Sequence, residues 1–340
     1  MNLEFHYYAT AALALRAGYQ PSVAHTIARS SEEVDQALVS YEILDFRLEG
    51  QSDYRTEKTQ DYNFWDEEVS REIYLPFHFI PGEADKASAL RLDGALDPWI
   101  VTPDSPLARS ILVAALRSGD PYRIGIALHA YADTWAHQNF TGRLSETNAL
   151  GSSSPLPPAG HLQALMSPDL PLEVWNDPRL RESEIDNRGR FLAAARMIFR
   201  FLRTSLKRPF DDEGSVLDEL GELWGRRSRE EAERQLDFVI AYDIEPWNPR
   251  LWRVEAGVSS PQGGEDRPRG YDKLRWLRAE LERRSGRSEG RREVDSGGRF
   301  RTSALRAWSE AATAHRREAL ALIDAALDGS KGGPGRTPAR

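Results

Sequence analysis

Three residues four apart, His129, Asp133 and His137, carry the clearest chemistry in the chain. On an α-helix, residues at this spacing lie about 40° apart around the axis and ~6 Å apart along it, so all three share one face. Neutral imidazole and carboxylate are the usual donors for zinc and related divalent cations. In an arbitrary helix such a triad is more simply a hydrogen-bonded polar seam. Here the helix is otherwise apolar and aromatic (Ile124, Ile126, Ala127, Leu128, Tyr131, Trp135, Phe140), which turns the triad inward. Three ionisable groups buried together are costly unless they are paired or share a cation. A metal site is therefore the expectation.

Other candidates stand apart in sequence. His6 lies between aromatics in Phe5-His6-Tyr7-Tyr8, and Asp35 comes late in the second helix. His78 is framed by Pro76, Phe77, Phe79, Ile80 and Pro81. His161 follows Gly160 and precedes Pro168-Asp169. Taken singly, each is an ordinary core or surface residue. His25 and His315 are given no role.

The elements that must position these residues are mostly helical, and the expected class is all-α. Helices are predicted over 3–17, closed by Gly18, and from Pro21 to Val39. Residues 40–105 read differently, as a few short extended segments. Tyr41–Leu48 and Arg71–Ile80 alternate in part between apolar and polar residues. Helices follow over 106–118, 121–140, 184–206, 213–225, 228–243 and 302–327, with 143–160 as a loop. Between 245 and 300 only Tyr271–Glu282 looks helical. The organisation expected is one helical domain, 1–327, with a metal-site core at 1–205 and a charge-rich C-terminal part at 206–327. Residues 328–340 read as a disordered tail.

Composition narrows the classes. The chain has 340 residues, no cysteine and a formal net charge of −8. Disulfides, thiolate zinc sites, iron–sulfur clusters and cysteine nucleophiles are excluded, so a metal must be held by histidine and carboxylate. The acidic balance argues against a duplex nucleic-acid binder. No long apolar run suggests a membrane span or a leader peptide, and the cytoplasm is the expected compartment.

Phe5-His6-Tyr7-Tyr8, Phe77-His78-Phe79, the run from His129 to Gly142 and Gly160-His161 with Pro168-Asp169 resemble an uncharacterised bacterial family. More distantly, the order His6, Asp35, His78, His129, Asp133, His137, His161, Asp169 is similar to that of the zinc-dependent phospholipases C and fungal single-strand nucleases. Those are all-α phosphoesterases with a trinuclear zinc cluster. The resemblance implies one metal at Asp35, His78, His129 and Asp133, and a second at His137, His161 and Asp169. A third would lie at His6, with Asp133 as the bridge. Asp35 would also be the catalytic residue that orients or deprotonates the attacking water. Two or three zinc ions are implied, with manganese or iron as alternatives, and a small-molecule or phosphoester substrate. Two spacings depart from that pattern: Leu165 stands four after His161 where an acid is expected, and Asp169 lies eight after it. The third metal in those enzymes also uses the free amine of a processed N-terminus, whereas Met1 is expected to stay here.

The rival class is a non-catalytic helical interaction protein with a structural metal site, using Trp247, Trp252 and Trp276 as a partner surface. Di-iron oxygenases are disfavoured by the lack of helical Glu-xx-His pairs in the plausible core. HD-type phosphohydrolases are disfavoured by the lack of an adjacent His-Asp dyad.

Overall fold

A computed structural model describes residues 1–45, 54–61, 63, 66–151, 154–225, 230–258 and 292–331. The described chain is mainly α-helical, with only short strands. Helix α1 opens as a π-helical turn, Glu4–Ala9, and continues as Thr10–Ala17 until Gly18 closes it at φ +102°. Pro21 starts α2 (Pro21–Gln36), where its missing amide costs nothing. Strands β1 (Tyr41–Ile43) and β2 (Tyr54–Arg55) pair antiparallel. Helix α3 runs through Glu67–Val69, a π-helical stretch Ser70–Tyr74 and Leu75–Phe77. Helices α4 (Ala84–Leu90), α5 (Pro106–Ser118) and α6 (Pro121–Ala136) follow. A small hairpin of β3 (Val174–Asn176) and β4 (Glu184–Asp186) leads into α7 (Asn187–Ser205), α8 (Glu213–Gly225), α9 (Glu231–Tyr242) and α10 (Leu251–Glu255). Strand β5 (Arg292–Val294) adds parallel to β1, and the chain ends in α11 (Ala304–Lys331).

Two expectations need correction. Residues 71–80 are not extended: most of them are helical. Half-buried Val69 and buried Ile73 and Phe77 recur every four residues, and the face they form with buried Tyr74 and Leu75 decides the conformation over the partial alternation. Asp66 caps the start, accepting from the amides of Glu68 (2.9 Å) and Val69 (3.1 Å). The final helix also continues to Lys331, so its end overlaps the stretch read as a tail. Residues 332–340 and the helix expected over 271–282 lie outside the described residues.

The main apolar core joins α1, α2, α5, α6, α7, α8 and α9; Phe5 stacks on Trp224 with ring centres 5.8 Å apart. A second cluster gathers Val34, Ile43, Phe77, Ile126, Trp252, Phe300 and Trp308, which ties α11 to α2 and α6. Helix α6 thus lies in the centre, with most of its residues buried. No described helix is long and apolar enough to cross a membrane.

Candidate metal centre

Helix α6 carries His129 and Asp133 in its buried middle and ends one residue before His137. The triad is therefore not wholly helical. His137 is the C-cap, but its amide still donates to the Asp133 carbonyl at 2.8 Å, which keeps its ring beside Asp133. Helix α2 brings Asp35 alongside, and α3 delivers His78 at its C-terminal end. The π-helical turn of α1 carries His6; such turns recur at functional sites because they re-aim side chains.

All eight expected residues converge. They form three groups in which the candidate donor atoms all lie within 4.8 Å of one another: His6, His129 and Asp133; Asp35, His78 and His129; His137, His161 and Asp169. His6 Nε2 is 3.2 Å from Asp133 Oδ1, and its ring stacks on His129 at 3.7 Å. His78 Nδ1 lies 3.3 Å from Asp133 Oδ2, 3.2 Å from His129 Nε2 and 3.8 Å from Asp35 Oδ1. His129 Nε2 lies 3.4 Å from Asp133 Oδ2 and 3.7 Å from Asp35 Oδ1. His137 Nε2 lies 3.4 Å from Asp169 Oδ1 and His161 Nε2 3.4 Å from Asp169 Oδ2.

The ring orientations are fixed from behind. His78 Nε2 donates to the Thr59 carbonyl (2.8 Å), His137 Nδ1 to the His78 carbonyl (2.8 Å) and His161 Nδ1 to the Leu165 carbonyl (2.9 Å). A carbonyl only accepts, so in each ring the other nitrogen is the one left to face a carboxylate oxygen; burial alone would lower the His78 pKa, but its Asp133 contact and the charges of Asp35 and Asp133 outweigh that and raise it. A proton on that nitrogen, or a cation shared by both groups, satisfies such a contact. A tetrahedral ion with bonds of about 2.0–2.1 Å holds its ligand atoms roughly 3.3 Å apart, close to the distances found.

Fixed charges act on the same carboxylates. Burial alone would raise the Asp133 pKa, but His137, the Met1 amine, His129 and His6 outweigh it and hold the carboxyl well below the usual range. Asp169 is likewise held low against its burial, by His161 and the Met1 amine. Burial, with His129 and the amine, pushes His6 down to about 3.

Local geometry closes the eight-residue interval between His161 and Asp169. Two 3-10 turns, Leu162–Ala164 and Ser167–Asp169, fold the segment so that Asp169 returns to His161. Leu165 sits between them at φ +55°, ψ −127°, a conformation that favours glycine, and its carbonyl takes the His161 proton. Behind the loop the Asn187 carboxamide donates to Ser167 O (2.5 Å) and Leu170 O (2.8 Å) and accepts from Trp175 Nε1 (3.1 Å). Phe79 stacks on His137 with ring centres 4.3 Å apart. Gly160, at φ +51°, suits glycine, and a Cβ there would lie 3.0 Å from the Phe79 ring, close enough that the ring would have to shift.

Other groups lie at the centre beside the eight expected side chains. The α-amine of Met1 is buried in the centre, paired with Asp133 and 3.3 Å from Asp169 Oδ1. These carboxylates, Asp133 first, outweigh its burial and raise it to about 11. Gln60 Nε2 donates to Asp35 Oδ1 at 3.3 Å, and Thr59 is buried beside it. Glu32 is buried near Asp35; burial first, then Asp35, raises its pKa well above normal. The other two histidines stay apart from these groups. His315 donates to the Pro76 carbonyl (2.9 Å). Trp252, offered as partner surface, is buried under Arg29 and Tyr122; Trp247 is half-buried against Tyr7, and Trp276 lies outside the described residues.

With this geometry in view, the chain belongs to a family of unknown function, DUF6765, which it matches over residues 1–323. No curated protein matches it. No solved structure matches it either.

Proposed function

We propose that this cage binds two or three divalent cations, zinc foremost, and hydrolyses phosphoesters. The observation that carries the reading is the convergence of eight His/Asp side chains into three groups of candidate donor atoms: imidazole nitrogens whose partners are held by backbone carbonyls face carboxylate oxygens at 3.3–3.4 Å, as ligands of a shared ion would. The distant resemblance to zinc-dependent phospholipases C and single-strand nucleases supports it through the same residue order. In this reading Asp35, His78, His129 and Asp133 hold one ion, and His137, His161 and Asp169 a second. His6 and Asp133 hold a third, where the Met1 amine could lose its proton and join them. Bound there, the ions would supply Lewis acidity and a water ionised near neutral pH.

Charge supports an anionic substrate. Asp35, Asp133 and Asp169 contribute three negative charges, whereas two divalent ions bring four positive ones and three bring six. The loaded site is thus cationic, which suits a phosphoester. Asp35 is the most solvent-accessible of the ligands, its side chain 28% exposed against 14% or less for the rest. One of its oxygens faces His78 and His129, and Gln60 steadies the group. It is the ligand best placed to take a proton from an attacking water.

The test is turnover of bis-nitrophenyl phosphate and nitrophenyl phosphorylcholine by the zinc-loaded protein. Metal-dependent turnover of either is expected. Asp35→Asn should lower kcat by about 10²-fold or more, as loss of a general base does. A metal-loaded protein inert toward both compounds would point to a structural site.

A further inference from the structure

The segment 230–258 is chemically engaged with the first turn of the chain. Arg234, on α9, donates from Nε to both Glu4 oxygens (3.2 Å each) and from Nη2 to Oε2 (3.0 Å). Glu4 is fully buried and Arg234 is only 8% exposed. Around this pair, Asn2 Nδ2 donates to Glu231 (3.4 Å), Tyr7 OH donates to the Glu245 carbonyl (2.9 Å), and the Trp247 amide donates to Tyr8 OH (3.1 Å). Glu4 lies between Met1 and His6, the two residues of this turn that enter the metal centre.

A buried ion pair is weak evidence for stability, because the desolvation of both charges offsets their attraction. What it does supply is direction: a forked guanidinium fixes a carboxylate in position and orientation. Here the fixed carboxylate sits on a π-helical turn, an irregular stretch whose geometry the local sequence alone does not enforce.

We infer that the Arg234–Glu4 pair is a positioning device that holds Met1 and His6 in register with Asp133, and so sets the affinity of the ion bound by His6 and Asp133. The inference rests on the metal reading above. It gives α9 a role in the site although none of its residues reaches the centre. Arg234 is a positioning residue and touches no metal.

The experiment uses the full chain with a native N-terminus. Zinc affinity and stoichiometry are measured for the wild type, Arg234→Met, Arg234→Lys and the apolar double variant Glu4→Leu/Arg234→Met. The visible spectrum of the cobalt-loaded forms is recorded beside them. In Arg234→Met one equivalent should weaken roughly 10- to 100-fold, the size typical of losing an outer-shell partner, while the rest bind as before. Arg234→Lys should recover part of the affinity. The double variant should keep its helical content and melting temperature yet still lack the tight equivalent, with one cobalt band altered.

Wild-type affinity for every equivalent in Arg234→Met and the double variant would overturn the inference while leaving the metal reading intact. A uniform loss of all equivalents in step with the melting temperature, or unfolding of every variant, would also overturn it, since the pair would then be a stability element. A wild-type protein that binds no metal would end both.

Discussion

Gly125→Ala tests how closely the packing of α2 on α6 controls the site. An added Cβ at Gly125 would lie 2.2 Å from the Ile27 carbonyl oxygen, 2.6 Å from Ser30 Cβ and 3.0 Å from the Ser31 amide nitrogen. Two of these are backbone atoms, so no change of rotamer relieves the clash. Restoring a normal contact near 3.5 Å requires α2 to retreat by roughly 1 Å. Helix α2 carries Asp35 and α6 carries His129, now 3.7 Å apart, so the same shift widens one metal group. Overpacking of this kind costs about 1–3 kcal/mol, against a gain of about 0.5–1 kcal/mol for replacing glycine inside a helix. The net expectation is a loss of about 1–2 kcal/mol, or a drop of ~1.5–3 °C in melting temperature at ~1.4 °C per kcal/mol for a chain of 340 residues. Gly189→Ala on α7 is the control, because nothing lies within 4 Å of its added Cβ. It should leave stability unchanged or slightly raised. Thermal unfolding of both variants, with and without zinc, and zinc titration provide the readings. If Gly125→Ala melts at or above the wild type with full zinc affinity, the reasoning fails. It fails too if Gly189→Ala falls as far.

Two further outcomes follow from buried groups. Burial pushes His315 down to about 4, so between that value and ~6.5 the unfolded chain binds more protons than the folded one, and stability must fall as pH drops through this window. The contribution is about 3 kcal/mol at most; His315→Gln, which keeps a donor for the Pro76 carbonyl, should flatten that part of a urea-unfolding profile against pH. An unchanged slope would refute the assignment. Placing Gly-Ser before Met1 converts the buried amine into an amide within a fully enclosed space, and metal analysis should then find one equivalent fewer than in the native chain. Equal metal content would remove the amine from the proposed ligand set.

The helices were legible where apolar periodicity and capping agree: Pro21 and Gly18 bound α1 and α2, and the edges of α8 fall where the pattern places them. Residues 71–80 were misread because a proline and partial alternation obscure a four-residue apolar repeat, while tertiary burial determines the result. In the site, the candidate side chains are visible in sequence by type, and the fold brings all eight together. The backbone is not visible in this way. The carbonyls of Thr59, His78 and Leu165 act through geometry that any residue type could supply, and the Met1 amine carries no side-chain signature at all. The eight-residue interval from His161 to Asp169 was opaque for a related reason: it closes through two 3-10 turns and a left-handed leucine, neither of which has a helical period.

Metal content of the purified chain, made without a tag and with a native N-terminus, tests the metal centre most directly. After zinc supplementation and removal of loosely bound ions, two or three equivalents per chain are expected, falling sharply in Asp133→Ala because that carboxylate faces His6, His78 and His129 at once. Less than about one equivalent in the wild type, under conditions where ordinary zinc sites stay loaded, would contradict the centre itself.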